Sequence, residues 1–106
     1  MDESEFTLLA ENLFESLDQA LENCAADLDV EASSGLLTIT CEATGTQIVV
    51  SRQPAMAQIW MAAKSGGFHF NFDAGEWRCS TTGRTLQDML SEALSWQCQA
   101  DVRVHF

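Results

Sequence analysis

Acidic side chains recur in the first third of the chain at spacings that place several of them together. Residues that follow one another at steps of three and four line one face of a helix, and four carboxylates do so here. Each neighbouring like-charged pair costs about 0.2–0.5 kcal/mol of helix stability, and no lysine or arginine in this segment relieves the repulsion. The pattern favours a function for this helical ridge, which consists of Glu11, Glu15, Asp18 and Glu22.

Three further carboxylates, the strand acids Asp27, Asp29 and Glu31, follow at alternate positions. On a strand, alternate side chains share one face and are spaced about 6.5–7 Å apart. Carboxylate oxygens suit hard cations and oxygen-preferring metals such as iron. Because this spacing is too open for one cage, a metal would be held weakly by one or two carboxylates and water. A solvated, solubilising face and a docking surface for a basic partner remain alternative interpretations.

The net charge of −11 comes entirely from the first half of the sequence. Residues 1–51 contain 11 acidic residues and no lysine or arginine, whereas residues 52–106 contain five acidic and five basic residues. Such a charge repels phosphate backbones, which argues against nucleic acid as a partner. A cation or a basic protein surface is the partner that this charge favours.

The cysteines and histidines form no recognisable metal or catalytic motif. The four cysteines, at 24, 41, 79 and 98, include no Cys-x-x-Cys pair, and the two histidines lie far apart. The N-terminus lacks the features of a secretory signal, and no apolar run approaches the roughly 20 residues that span a bilayer. We therefore expect no membrane association, a cytoplasmic location and free, reduced thiols.

Alternation in the fourth predicted strand separates one tryptophan from the apolar residues beside it. Trp60 would stand on the sheet face that points away from the core, where tryptophan often anchors protein interfaces. Arg52 and His69 would share that face if the strands align accordingly. The alternative is that Trp60 packs beneath a loop. Only packing roles are expected for Trp77 and Trp96.

Hydrophobic periodicity predicts two helices that flank a run of strands. Apolar residues recur every three or four positions over 3–25 and 85–97, and Thr85 with Asp88 resembles a helix-capping box. Between the helices, apolar and polar residues alternate, and turns separate the runs. The predicted strands are 28–33, 36–42, 47–53, 57–64, 67–73 and 76–80, and 102–106 adds a terminal strand or an extended tail.

The order of these elements predicts one domain over residues 1–106 and an α+β fold. Strands joined by short turns are antiparallel neighbours, and each amphipathic helix needs an apolar surface to cover. The simplest arrangement is a two-layer α/β sandwich, with two helices packed on one face of a five- to six-stranded antiparallel sheet. The other sheet face, called the open face below, then contacts solvent.

Four segments of the chain resemble the frataxin family: Gly-Leu-Leu-Thr-Ile-Thr at 35–40, Ile-Val-Val-Ser-Arg-Gln at 48–53, Gln-Ile-Trp-Met-Ala at 58–62 and Gly-Gly-Phe-His-Phe at 66–70. Glu76 and Trp77 follow and fit as well, and the resemblance covers nearly the whole chain. It departs from bacterial members at Ser51, where they often have Asn, and in the acid-poor loop 23–26.

The resemblance implies a monomeric, non-enzymatic protein that regulates iron–sulfur cluster assembly. It implies weak binding of iron (Fe²⁺ or Fe³⁺), replaceable by other divalent cations, and docking on cysteine desulfurase and the iron–sulfur scaffold complex. The metal positions carried over are Glu11, Glu15, Asp18, Glu22, Asp27, Asp29 and Glu31. The partner-binding positions are Asp18, Glu22, Asp27, Asp29, Arg52, Trp60 and His69.

Two other function classes remain open from the sequence. A ferroxidase or iron-storage protein would use clustered carboxylates with histidine, yet no Glu-x-x-His pair occurs and neither histidine lies among the acids. An acidic mimic of nucleic acid would explain the charge, but it would leave Trp60 and Arg52 without a role.

Overall fold

The computed structural model describes residues 1–24 and 27–106 as two helices and six strands. The elements follow the predicted order, with a short 3-10 turn at Pro54–Met56 between the third and fourth strands. The two-layer α/β sandwich predicted from the sequence is therefore confirmed. The helices are α1 (Glu3–Glu22) and α2 (Leu86–Cys98), and the strands are β1 (Leu28–Ser33), β2 (Leu36–Cys41), β3 (Thr46–Gln53), β4 (Gln58–Ala63), β5 (Gly66–Asp73) and β6 (Glu76–Cys79).

The first helix begins and ends with backbone groups satisfied by local hydrogen bonds. The Asp2 side chain accepts a hydrogen bond from the Glu5 amide at 2.8 Å, which caps the N-terminus as expected for this residue type. At the other end, the Asn23 amide donates to the Gln19 carbonyl. The helix stops at Glu22, three residues before its predicted end, and residue 25 lies outside the described part of the chain.

All six strands form one antiparallel sheet in the order β1-β2-β3-β4-β5-β6, so neighbours along the chain are neighbours in the sheet. Its register pairs Ile39 with Ile48 and Met61 with Phe68, which brings apolar side chains onto one face. The same alternation sends the intervening residues to the open face. Because β1 comes first in this order, it forms one edge of the sheet.

Both helices bury their apolar sides against the inner face of the sheet. Phe6 of α1 meets Trp77 of β6 edge-on, with ring centroids 6.1 Å apart. Trp77 is 7% exposed, as its expected packing role requires. Trp96 is 64% exposed on α2, so the packing role expected for it is wrong. The buried side of α1 consists of Phe6, Ala10, Leu13, Leu17 and Leu21.

The C-terminal segment after α2 is an extended tail rather than a seventh strand among the described residues. The Ser95 hydroxyl accepts from the Val102 amide at 2.9 Å, and Ser91 does the same for Val104 at 3.0 Å. Both valines are buried. The tail is thus held on the helix by hydrogen bonds to serine side chains rather than by sheet pairing.

Two of the four cysteines are joined, contrary to the expectation of free thiols. Cys41 and Cys98 form a disulfide with their Cα atoms 5.3 Å apart, whereas Cys24 and Cys79 are free. The bonded pair is separated by 57 residues, so no local spacing in the sequence indicates it. No helix in the described ranges is long and apolar enough to cross a bilayer.

Candidate functional site

The helical ridge lies on the side of α1 that faces away from the core. Leu13, Leu17 and Leu21 are buried, so the intervening acidic residues point outward. Three ridge carboxylates are exposed and Asp18 is half-buried. The ion pairs among the described residues are Arg78–Glu76 and Arg84–Glu92. Neither involves the ridge, so within the described part no lysine, arginine or histidine nitrogen lies within 4.0 Å of its carboxylates.

The strand acids lie on the neighbouring edge of the sheet. Asp29 is opposite Thr40 and Glu31 is opposite Thr38, whereas the alternate residue Val30 is opposite the buried Ile39. Asp29 and Glu31 are therefore on the open face. Asp27 is exposed just before the strand, and its carbonyl accepts a hydrogen bond from the Glu42 amide at 3.1 Å.

The helical ridge and the strand acids together make one acidic surface that wraps around the β1 edge. The α1 helix packs against β1, so its carboxylates approach that edge from the inner layer while the strand acids approach it from the open face. The two groups of acids therefore occupy two adjoining faces of the molecule. The acidic surface consists of Glu11, Glu15, Asp18, Glu22, Asp27, Asp29 and Glu31.

The acidic surface has the donor chemistry of a cation site but not the geometry of a cage. Among the described residues, no group of three or more histidine, cysteine, aspartate or glutamate side chains could hold a metal ion together. Iron or another hard cation fits oxygen donors of this kind. Such a cation would contact one or two carboxylates and complete its coordination with water.

A groove separates the helical ridge from the β1–β2 turn, and Arg52 lies in it. The groove has a volume of about 370 Å³ and is lined by Glu11, Glu15, Asp18 and Arg52, among others. A Cβ atom added to Gly35 would lie 2.7 Å from Arg52 Nε, so the arginine stem lies directly over that glycine. Arg52 is the basic residue among the described residues that line this groove, yet it forms no ion pair within 4.0 Å.

The placement of Arg52 corrects the expectation that it shares a face with Trp60. Arg52 is opposite Ile59, a buried core residue, whereas Ser51 is opposite Trp60. Arg52 therefore points toward the helix layer. A charged residue is tolerated at this inward position because it is near the end of β3, where its long side chain extends past the core into the groove.

Trp60 lies flat on the open face, as the strand alternation predicts. It is opposite His69, and the two rings stack with centroids 6.3 Å apart and an interplanar angle of 29°. A Cβ atom on Gly67 would lie 2.9 Å from Trp60 Nε1, so only glycine leaves room for the indole there. Trp60 is half-buried by these contacts, and His69 is exposed.

Two carboxamides beside this aromatic pair escaped the sequence-based reasoning. Gln58 donates from Nε2 to Asn71 Oδ1 at 3.0 Å. The Gln58 Oε1 atom is buried and has no hydrogen-bond donor within the described residues, and an unmatched buried acceptor is unusual. The available signal was their position two residues from Trp60 and His69, which places all four side chains on the open face.

Comparison of the chain with known proteins points to one family. The Frataxin-like domain family model matches residues 1–100. The chain is 38% identical over 97 residues to the iron–sulfur cluster assembly protein CyaY of Tolumonas auensis, covering 92% of both chains. Frataxin from Psychromonas ingrahamii, described within the CyaY family, superposes with a TM-score of 0.89 at 30% identity, covering 97% of both chains.

A yeast relative extends the comparison to a ferrous complex. The ferrous complex of trimeric frataxin from the yeast Saccharomyces cerevisiae superposes with a TM-score of 0.65 at 32% identity. The alignment covers 93% of this chain and 88% of the yeast chain. Family model, curated relative and solved structures agree, and the chain belongs to the frataxin family.

Proposed function

We propose that this protein serves iron–sulfur cluster assembly in the cytoplasm as a monomeric binding and regulatory module. It takes up Fe²⁺ or Fe³⁺ weakly on the acidic surface and docks on cysteine desulfurase with its scaffold complex. The observation that carries the proposal is the acidic surface itself, which the described basic residues leave without ion pairs. The similarity to an iron–sulfur cluster assembly protein supports a role in that process.

Weak, replaceable metal binding is what the arrangement of the carboxylates supports. Each carboxylate is exposed or half-buried, so it keeps most of its water until a cation arrives. A cation held by one or two oxygens gains little from preorganisation, and other divalent cations compete for the same positions. Loosely held iron is suited to a protein that delivers or senses the metal rather than storing it.

The same unpaired charge supports docking on a basic partner. Electrostatic complementarity speeds association and selects a partner of opposite charge. The open face adds Trp60 and His69, a stacked aromatic pair of the kind that anchors protein interfaces. Because the strand acids and Trp60 lie on the same side of the sheet, one partner can contact both.

An anaerobic titration with Fe²⁺, followed by backbone NMR, tests the metal-binding proposal. Paramagnetic broadening is expected to be confined to residues 11–31. A variant with Asp18→Asn, Glu22→Gln and Asp29→Asn is expected to lose most of it. A matched variant with Asp73→Asn, Asp88→Asn and Asp101→Asn has the same net charge change at exposed positions elsewhere and is expected to behave as the parent. Uniform broadening, or equal losses in both variants, would contradict the proposal.

Pull-down with purified cysteine desulfurase tests the docking proposal. The parent protein is expected to retain the desulfurase, and the variant neutralised at Asp18, Glu22 and Asp29 is expected to lose it. Equal retention by this variant and its matched control would exclude the acidic surface as the contact. Measuring Fe²⁺ oxidation with and without protein separates this function from a ferroxidase, which would show a rate that depends on the same carboxylates.

A further inference from the structure

The disulfide joins the two layers of the fold at the ends of two elements. Cys41 is the last residue of β2, and Cys98 is the last residue of α2. Both are buried, at 1% and 8% exposure. A covalent link across 57 residues removes chain entropy from the unfolded state and holds the end of α2 against the sheet.

A second set of contacts holds the same helix end without any contribution from sulfur. Gln97 is 4% exposed; its Nε2 donates to the Gln47 carbonyl at 3.2 Å, and its Oε1 accepts from the Lys64 amide at 2.8 Å. Its own carbonyl accepts from the Thr44 hydroxyl at 3.0 Å. Because these bonds reach β3, the β2–β3 turn and the β4–β5 turn, they help to keep the helix docked on the sheet when the disulfide is absent.

The position of Cys98 makes the bond sensitive to local opening. The next residue, Gln99, adopts the left-handed conformation that ends the helix, and residues 99–101 are exposed. Helix ends open more readily than the core of a sheet. An opening of the last turn exposes the Cys98 sulfur, and with it the disulfide, to a small thiol.

We propose that Cys41 and Cys98 form a redox-responsive clasp that controls opening of the last turn of α2 while the rest of the fold persists. Closing the clasp removes two protons and two electrons from the thiols, which reduce a low-molecular-weight disulfide such as oxidised glutathione to two thiols. To open it, a thiolate of a dithiol attacks Cys98 Sγ and Cys41 leaves as thiolate. The second thiol of the reductant then releases Cys98, and the oxidised reductant closes its own disulfide.

Hydrogen exchange of the full chain, with and without dithiothreitol, tests the clasp. Amides of residues 94–98 are expected to exchange at least about tenfold faster after reduction, whereas amides of β3 and β4 remain protected. The melting temperature is expected to fall by at least about 10 °C. Thiol titration in denaturant is expected to give two thiols before reduction and four after it.

Variants separate the clasp from general effects of the reductant. The double variant Cys41→Ser/Cys98→Ser is expected to show the fast exchange without reductant and to ignore dithiothreitol. Cys24→Ser, which removes a free thiol, is expected to respond as the parent does. Unchanged exchange on reduction, four thiols after treatment with oxidised glutathione, or loss of protection throughout the sheet would each overturn the proposal. The wild-type comparison decides the outcome even if the double variant fails to fold.

Discussion

Trp60 depends on a glycine in the adjacent strand. We expect Gly67→Ala to push the indole off the sheet, because the added Cβ would lie 2.9 Å from Trp60 Nε1. The stacking with His69 is then lost, and binding of the desulfurase is expected to weaken by about tenfold, the order typical of a disturbed interface anchor. The chemical shift of the Trp60 indole reports the displacement. Ser65→Ala in the turn between β4 and β5 is the control, and an unmoved indole would contradict the expectation.

Arg52 is expected to lower the affinity of the acidic surface for cations. Its guanidinium lies in the groove with Glu11, Glu15 and Asp18, where its field opposes that of the carboxylates. Arg52→Gln should therefore tighten Mn²⁺ binding by about twofold to fivefold at low salt, and the gain should shrink at high salt. Arg103→Gln makes the same charge change at an exposed position of the tail. Equal gains in Mn²⁺ affinity in both variants would mean that net charge, and not the position of Arg52, causes the effect.

Cys79 gives stability a pH dependence of its own. Burial raises the pKa of its thiol, but hydrogen bonds from the side chains and backbone of Thr81 and Thr82 outweigh burial and lower the pKa to about 7. A lowered pKa stabilises the fold once the thiol ionises, so this contribution is complete above pH 9 and disappears as the pH falls through 7. Urea unfolding between pH 6 and 9 should show the rise, and Cys79→Ser should lack it. Cys24→Ser should keep it.

Residue positions were predictable where a strict period of two governs them. Alternation placed Trp60 and His69 on the open face, and the register stacks them. The same rule assigns Arg52 to the inner face, since it follows Ile48 and Val50 at alternate positions. The expectation that it shares the open face depended on how the strands align, and the register does not bear it out. The sequence does not show that the buried part of the inner face ends near Arg52. The arginine side chain can therefore extend past the core into the groove.

At the scale of elements, the helical ridge is expected to reduce the stability of α1. Asp18→Asn with Glu22→Gln removes like-charge neighbours and negative charge near the helix C-terminus, which should raise the free energy of unfolding by about 1 kcal/mol at low salt. Glu3→Gln with Glu5→Gln should lower it, because acids are favourable in the first turn. Urea unfolding without metal measures both. A rise in both variants would attribute the effect to net charge alone.

The helices and strands themselves followed from local patterns, but the links between distant elements did not. Period and turn residues predicted all six strands and both helices within a few residues. The disulfide and the Gln97 contacts join positions far apart in sequence, and neither leaves a periodic signal. Trp96 is on α2 beside the buried stripe, and composition alone does not predict whether a tryptophan at such a position is buried or exposed.

For the molecule as a whole, the wrapping of the acidic surface around the β1 edge sets how the proposed partner is expected to bind. The strand acids and Trp60 share the open face but are three strands apart, about 14 Å in the hydrogen-bonding direction. An interface of ordinary size, about 800 Å² on each partner, covers both. The partner therefore needs basic groups at one side and an apolar pocket at the other.

Kinetics of desulfurase binding distinguish these two contributions. Asp29→Asn with Glu31→Gln is expected to slow association at low salt and to lose its effect at high salt, because exposed charge acts on encounter. Trp60→Ala is expected to speed dissociation at either salt concentration, because it removes a desolvated anchor. The two free-energy changes should add, since the sites are too far apart to couple directly. An acidic variant that slows association equally at both salt concentrations, or strong non-additivity, would mean that the partner does not span the two regions.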